Sequence, residues 1–121
     1  HAVARLALHP VIPYIQVSWV KLGADGVRAA LQAGANDLGG TLMNESISRA
    51  AGTEHGQEMG PAAMDALIRS LGREPRQRTT LYAAAPADRV AASYGAAELT
   101  PVRLTPAGKR PNQLLVTPIP A

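Results

Sequence analysis

Two apolar segments that each break into polar and glycine residues constrain the fold of this chain most strongly. Residues 14–20 and 35–42 have the β-branched and aromatic content of buried strands. Between them, residues 24–33 place apolar side chains at helical spacing, and Gly34 follows where a helix C-cap is expected. This order of strand, helix, glycine and strand predicts a βα unit of a parallel sheet with a right-handed crossover.

The flanking segments predict further helices and one more strand. A helix over residues 1–8 is stopped by prolines, and residues 61–71 form the clearest helical pattern, with Pro61 at its first position and Gly72 at its end. Residues 43–59 read as a long polar connection with a short helix near residues 46–51. A third strand is predicted over residues 77–82 and a helix over residues 87–93, before an extended tail that is rich in proline.

The whole pattern is that of an α/β protein with about three strands. Residues 1–83 form its body, and residues 84–121 form a helix and a proline-rich tail. A chain of 121 residues forms one domain, about half of a (β/α) barrel of roughly 250 residues. The first residues already read as the middle of a helix, so we expect the chain to be a piece of something longer.

Charge and composition argue against several functions. Residues 1–83 carry eight basic and seven acidic side chains and residues 84–121 carry four and two, so the net charge of +3 forms no basic patch. One tryptophan, three tyrosines and no phenylalanine make a poor platform for stacking bases, and no nucleic-acid partner is expected. With no apolar run of roughly 18 residues, neither a membrane span nor a signal segment is expected, and the cytoplasm is the default compartment.

The first predicted strand ends in residues that can contact a polar ligand. Gln16 and Ser18 share one face of it, and they either bind a substrate or satisfy hydrogen bonds within the core. Trp19 either stacks on an aromatic ligand or packs as core.

A denser cluster of polar residues and glycines surrounds the end of the second strand. Its paired glycines permit close approach of a ligand to the backbone and φ values closed to other residues. Glu45 either recognises an ammonium group or moves a proton, or it is the first-turn carboxylate of a short helix. The candidate ligand-binding residues of this cluster are Asn36, Asp37, Gly39, Gly40, Thr41 and Asn44.

Two further candidates lie later in the chain. His55 is predicted at a pocket rim, because the three histidines are too scattered to make a zinc site, and no metal ligands are assigned. Arg76 and Arg78 are two apart on the predicted third strand, so they either clamp a carboxylate or are solvated. No catalytic triad, P-loop or dinucleotide fingerprint can be assembled, so the residues alone indicate part of an α/β enzyme with a polar ligand.

Four motifs occur in order along residues 1–83: IQVSWVKLG, AGANDLGGTLMNESISRAAG, EHGQEM and PRQRTTLY. Together they resemble the C-terminal part of the radical S-adenosylmethionine enzymes that make the deazaflavin FO, and more closely the tyrosine-using half of FO synthase. The resemblance implies a (β/α) TIM-type barrel in which the three predicted strands are the sixth to the eighth. It also implies a role in coenzyme F420 biosynthesis.

In such enzymes a 4Fe–4S cluster on a three-cysteine loop cleaves S-adenosylmethionine, and the resulting radical takes hydrogen from tyrosine. The 4-hydroxybenzyl group then passes to 5-amino-6-(D-ribitylamino)uracil, and a partner radical domain closes the ring. This chain has no cysteine, so the resemblance implies that it needs the N-terminal remainder of the barrel and is inactive alone. The alternatives are the aminofutalosine type of menaquinone enzyme and a non-catalytic α/β binding module.

Overall fold

The computed structural model of the chain describes residues 1–41, 55 and 58–99. These residues form a small mixed assembly of four helices and one two-stranded sheet. The predicted short helix at residues 46–51 and the tail from residue 100 onwards lie outside the described residues. In chain order the elements are α1 (Ala2–Leu8), β1 (Gln16–Val17), α2 (Trp19–Gln32), β2 (Asp37–Leu38), α3 (Pro61–Arg69) and α4 (Ala87–Tyr94).

The predicted βαβ unit is confirmed. Strands β1 and β2 are parallel and joined through α2, with Gln16 opposite Asp37 and Val17 opposite Leu38. The carbonyl of Val17 accepts a hydrogen bond from the amide of Gly39 at 3.0 Å, which extends the pairing past the end of β2. Gly34 follows α2 with a φ of 106°, the left-handed conformation expected after a helix.

Both strands are shorter than predicted. Assigning Trp19 and Val20 to a strand was wrong, because they begin α2. Their burial explains this: two adjacent residues face inward together with Val27 and Leu31, which is the spacing of a helix and not the alternation of a strand. The predicted helix over residues 24–33 is therefore confirmed but starts earlier in the chain, and the second predicted strand is reduced to Asp37–Leu38 among the described residues.

The core lies between α2, the sheet and α3. Val17 of β1 and Val27 of α2 are fully buried, and Leu67 is the residue of α3 that reaches them. Met64, Ile68 and the following Leu71 pack around this core as partly buried side chains, so the predicted apolar stripe of α3 is confirmed. The helix begins with Pro61 as predicted and ends two residues earlier than expected.

The third predicted strand is wrong. Within residues 77–82, Arg78 forms an isolated antiparallel bridge with Ala84, so the chain doubles back on itself. The amide of Tyr82 donates to the carbonyl of Thr79 at 3.0 Å, and Tyr82 has a φ of 64°, which no strand residue adopts. The helix predicted after this turn is confirmed as Ala87–Tyr94.

Within the described part of the chain, no helix combines the length and apolarity that crossing a membrane requires.

We predict that the 121-residue chain expressed alone self-associates. Val3 and Leu6 are a helical turn apart on α1 and are 79% and 84% exposed, and Val11 is 86% exposed. Among the described residues each strand of the sheet has one neighbour, so each keeps an edge available for pairing. Analytical ultracentrifugation over a concentration series should show oligomers, and a Val3→Glu, Leu6→Lys variant should show fewer. A monomer whose melting is sharp and independent of concentration would contradict this prediction.

Candidate functional site at the strand ends

Three arginine side chains from distant segments converge on residues 34–37, which connect α2 to β2. Arg5 of α1 donates through Nε to the carbonyl of Gly34 at 2.8 Å. Arg73, which follows α3, donates through Nη1 to the carbonyl of Ala35 at 2.9 Å. Arg78 binds the carboxylate of Asp37. We call Arg5, Arg73 and Arg78 the arginine clasp.

Asn36 joins the clasp to the segment that leads into β1. Its Oδ1 accepts hydrogen bonds from Arg5 Nη2 at 2.7 Å and from the amide of Ile15 at 2.9 Å. Its Nδ2 donates to the carbonyl of Pro13 at 3.0 Å, which also accepts a bond from Arg5 Nη1. All of the amide's polar atoms therefore bind the chain itself, and they fix the chain before β1 against the chain before β2.

The contact between Asp37 and Arg78 is a bidentate ion pair. Arg78 Nε lies 2.7 Å from Oδ1 and Nη2 lies 2.6 Å from Oδ2, across 41 residues of sequence. Asp37 is 8% exposed, so the pair is strengthened by partial exclusion of water. The hydrogen bond to Asp37 raises the pKa of Arg78, which keeps the guanidinium charged.

Two stacked tyrosines extend this pair. The guanidinium carbon of Arg78 lies 4.2 Å from the centre of the Tyr82 ring, and that ring stacks on Tyr14 with centroids 4.0 Å apart. Cation–π contact and stacking favour the unusual backbone of Tyr82. Tyr14 precedes β1, so the turn after residue 77 is held against both strands.

The sequence indicated that Asn36, Asp37 and Arg78 matter here, but it did not predict that they bind other parts of the same chain. The carboxylate that Arg78 clamps belongs to Asp37 of the same chain. Arg76, expected to share this role, lies 3.7 Å from Glu74, and both are highly exposed. Asn36 precedes β2 and Asp37 begins it, so this group lies at the amino end of the strand and not at the carboxyl end.

The carboxyl ends of β1 and β2 lie at the opposite end of the sheet from the ion pair of Asp37 and Arg78. Ser18 is the N-cap residue of α2, and Gly39, Gly40 and Thr41 follow β2. The indole Nε1 of Trp19 donates to the carbonyl of Gly40 at 3.0 Å, so it ties the two strand exits together. Trp19 is 2% exposed and packs in the core, as the structural alternative predicted.

The paired glycines are not required by backbone conformation. Among the described residues the glycines with positive φ are Gly23, Gly34 and Gly72, so the special φ values expected at Gly39 and Gly40 are absent. Within the described ranges, a Cβ on Gly40 would meet nothing within 4 Å, and one on Gly39 would make an ordinary contact with the carbonyl of Val17. The carbonyl of Gly40 is bound by Trp19, and no described atom crowds its Cα.

The remaining predicted site residues are Gln16, His55, Asn44 and Glu45. Gln16 is exposed on β1, and His55 lies against Gly23 in the first part of α2, beyond the carboxyl end of β1. Asn44 and Glu45 lie outside the described residues.

Two open cavities meet at Thr41. One, of about 770 Å³, lies between β2, α3 and residues 73–84, and Asp37 and Arg78 line it. The other, of about 700 Å³, lies between the start of α3 and the end of α4 and is lined by Glu58 and Tyr94. Thr41 lines both.

The residues of this chain do not suit an iron–sulfur cluster. The sequence contains no cysteine, and the described part holds no group of three histidine or carboxylate side chains arranged for a metal. What the strand ends offer is hydroxyl, imidazole and backbone hydrogen bonding, which is suited to a polar organic molecule.

Comparison with known proteins identifies the family. Residues 1–90 match the profile of the family described as the CofH/MqnC C-terminal region. The match covers most of the chain, so the chain belongs to this family. No solved structure matches it.

Three named relatives show which members of this family the chain is similar to. The 5-amino-6-(D-ribitylamino)uracil–L-tyrosine 4-hydroxyphenyl transferase of Methanopyrus kandleri is 57% identical over 82 residues, which is 68% of this chain and 22% of that protein. The FO synthase of Mycobacterium tuberculosis is 55% identical over 83 residues, 69% of this chain and 10% of that protein. The FO synthase of Streptomyces avermitilis is 51% identical over 105 residues, 84% of this chain and 12% of that protein. The chain thus spans a quarter or less of these relatives.

We predict that Arg78→Met destabilises the full-length protein carrying this region by about 1–3 kcal/mol, because it leaves the carboxylate of Asp37 buried without its partner. The loss is below that for a fully buried pair, since the Arg78 side chain is 29% exposed. Arg76→Met is the matched control, because that side chain is 82% exposed. Chemical denaturation measures both variants, and equal free energies of unfolding for the two would contradict a structural role for the ion pair.

Proposed function

We propose that this chain is the C-terminal part of a radical S-adenosylmethionine barrel enzyme of coenzyme F420 biosynthesis. The reaction is transfer of the 4-hydroxybenzyl group of tyrosine to 5-amino-6-(D-ribitylamino)uracil. The observation that carries the proposal is the 57% identity over 82 residues to a protein named as the corresponding transferase. Support from the fold is coarser: the parallel βαβ unit is the repeating element of such a barrel.

Within that enzyme, the carboxyl ends of β1 and β2 contact the small molecules. Parallel α/β folds bind their ligands at this end, where loops leave the strands. Ser18 and Thr41 provide hydroxyl groups there, His55 provides an imidazole, and Gly40 provides open backbone. Asn44 and Glu45 follow directly in the sequence and complete the proposed site. Asn36 is left out of it because it binds Arg5 and the segment before β1. Asp37 and Arg78 are left out because they bind each other.

The rest of the proposed enzyme supplies what this chain lacks. Because the chain has no cysteine, the iron–sulfur cluster is bound by residues outside it, together with part of S-adenosylmethionine. A ring-closing radical domain is the partner that converts the transferred product to FO. The relatives named above are a transferase and FO synthases, which favours this reaction over the menaquinone sibling and over a non-catalytic module.

The direct test is anaerobic incubation of the full-length protein, reconstituted with iron and sulfide, with S-adenosylmethionine, tyrosine and 5-amino-6-(D-ribitylamino)uracil. Mass spectrometry should detect 5′-deoxyadenosine together with a hydroxybenzyl adduct of the uracil. Omitting tyrosine is the control that should abolish the adduct. A protein with a fully loaded cluster that forms neither product would contradict the proposal.

We also predict that Glu45→Gln and Asn44→Ala lower the yield of adduct while the iron content stays unchanged, because both residues follow the carboxyl end of β2. Glu74→Gln is the matched control, since the Glu74 side chain is 78% exposed next to Arg76. Turnover is compared at equal cluster loading. Unchanged turnover in both variants would remove these residues from the site.

A further inference from the structure

Helix α2 is interrupted at Gly23, one turn after it begins. This residue has a φ of 63° and a ψ of −179°, whereas the residues on either side are helical. Side chains other than glycine rarely adopt this φ, so the backbone itself favours glycine here. Gly23 is also buried, so the interruption lies inside the structure and not at its surface.

The imidazole of His55 occupies the space beside Gly23. A Cβ built on Gly23 would lie 2.6 Å from Cε1, 2.7 Å from Nδ1 and 3.1 Å from Nε2 of that ring. Distances this short are steric overlaps, so any side chain at this position would displace the ring. Two separate constraints therefore favour glycine at position 23: the conformation of the backbone and the closeness of the imidazole of His55.

The position of this contact connects it to the candidate site. Strand β1 ends at Val17 and α2 starts at Trp19, so the first turn of α2 leads away from the carboxyl end of β1. Trp19 in the same turn holds Gly40 at the exit of β2. His55 comes after β2 in the chain, and its contact with Gly23 places it one helical turn beyond the carboxyl end of β1, where Ser18 lies.

We propose that Gly23 is a positioning residue that seats the imidazole of His55 at the carboxyl end of β1, where His55 hydrogen-bonds to a bound polar small molecule. The identity of that molecule, tyrosine or S-adenosylmethionine, rests on the proposed function. The contact between Gly23 and the imidazole of His55, which we call the seat, does not rest on it, because the geometry of two residues of this chain defines this contact.

The chain contains a matched control for the seat. Gly72 also has a positive φ, of 70°, but a Cβ built on it would meet nothing within 4 Å among the described residues. Gly72→Ala therefore measures the cost of a positive φ without displacing a described side chain. Gly23→Ala combines the cost of its own backbone conformation, with a ψ of −179°, with displacement of His55.

The first experiment measures thermal unfolding of the full-length protein carrying Gly23→Ala or Gly72→Ala, each with His55 and with His55→Ala. With His55 present, Gly23→Ala should lower the unfolding midpoint clearly more than Gly72→Ala. In the His55→Ala background the effect of Gly23→Ala should be smaller, because the ring that clashes is gone, and the effect of Gly72→Ala should be unchanged. Equal effects of Gly23→Ala in the two backgrounds would overturn the proposed seat.

The second experiment separates hydrogen bonding from space filling at position 55. His55→Leu fills the seat without a donor or acceptor, and His55→Gln restores both. We expect His55→Leu to lower kcat/KM by about tenfold or more, with partial recovery in His55→Gln and little change in the unfolding midpoint. Separate KM values for tyrosine and S-adenosylmethionine show which of them His55 contacts. Full kcat/KM in His55→Leu would overturn the role in ligand binding.

Failure of the proposed function has a different signature. A wild-type protein that forms no product with a loaded cluster overturns the reaction, while the thermal coupling between Gly23 and His55 still decides the seat. Ligand contact is then decided by the rise in unfolding midpoint on adding S-adenosylmethionine or tyrosine. That rise should be smaller in His55→Leu than in the wild type. A rise as large in His55→Leu as in the wild type, with S-adenosylmethionine and with tyrosine, would overturn the contact.

Discussion

The bidentate pair between Asp37 and Arg78 is the interaction on which the described structure depends most. It joins the first residue of β2 to a turn 41 residues later. Arg73 and Arg5 reach the same short connection from two other directions. Because residues 34–37 also determine where β2 begins, the clasp sets the register in which Asp37 pairs with Gln16. Helix α1, both strands and the turn after residue 77 are thereby fixed to one another around a small apolar core.

We propose that this arrangement separates stability from function along the strands. The amino end of β2 carries the ion pair and Asn36, whose polar atoms are taken up by the chain itself. The carboxyl ends carry Ser18 and Thr41, together with the open backbone at Gly40. Since side chains that hold a fold together tolerate little movement, ligand exchange is better served at the opposite end. The indole of Trp19 joins the two strand exits by fixing the exit of β2 to the start of α2.

The order of elements could be predicted from the sequence because helical spacing, Pro61 and Gly34 are local signals. Strand ends were less predictable: Trp19 and Val20 favour strands by type, but their joint burial with Val27 belongs to a helix. The turn at Tyr82 had no local signal, because its positive φ depends on stacking with Tyr14, far away in the chain.

The partners of the candidate site residues could not be predicted from the sequence either. A buried aspartate and a bidentate arginine are typical of a ligand site and of an internal ion pair alike, and sequence spacing does not distinguish the two. Asp37 and Arg78 were therefore each predicted as ligand-binding residues, and their contact with each other was not predicted. Gly23 was missed because it lies between the predicted strand and the predicted helix, where a glycine is an ordinary turn signal until the position of His55 is known.

A crystal structure of the full-length protein with S-adenosylmethionine and tyrosine would test this division most directly. We expect the ligands at the carboxyl ends of β1 and β2, within hydrogen-bonding distance of residues such as Thr41 and His55. The ion pair of Asp37 and Arg78 should remain closed, as in the structure described above. A ligand carboxylate bound to Arg78, with Asp37 displaced, would contradict the assignment of the clasp to folding and of the strand exits to function.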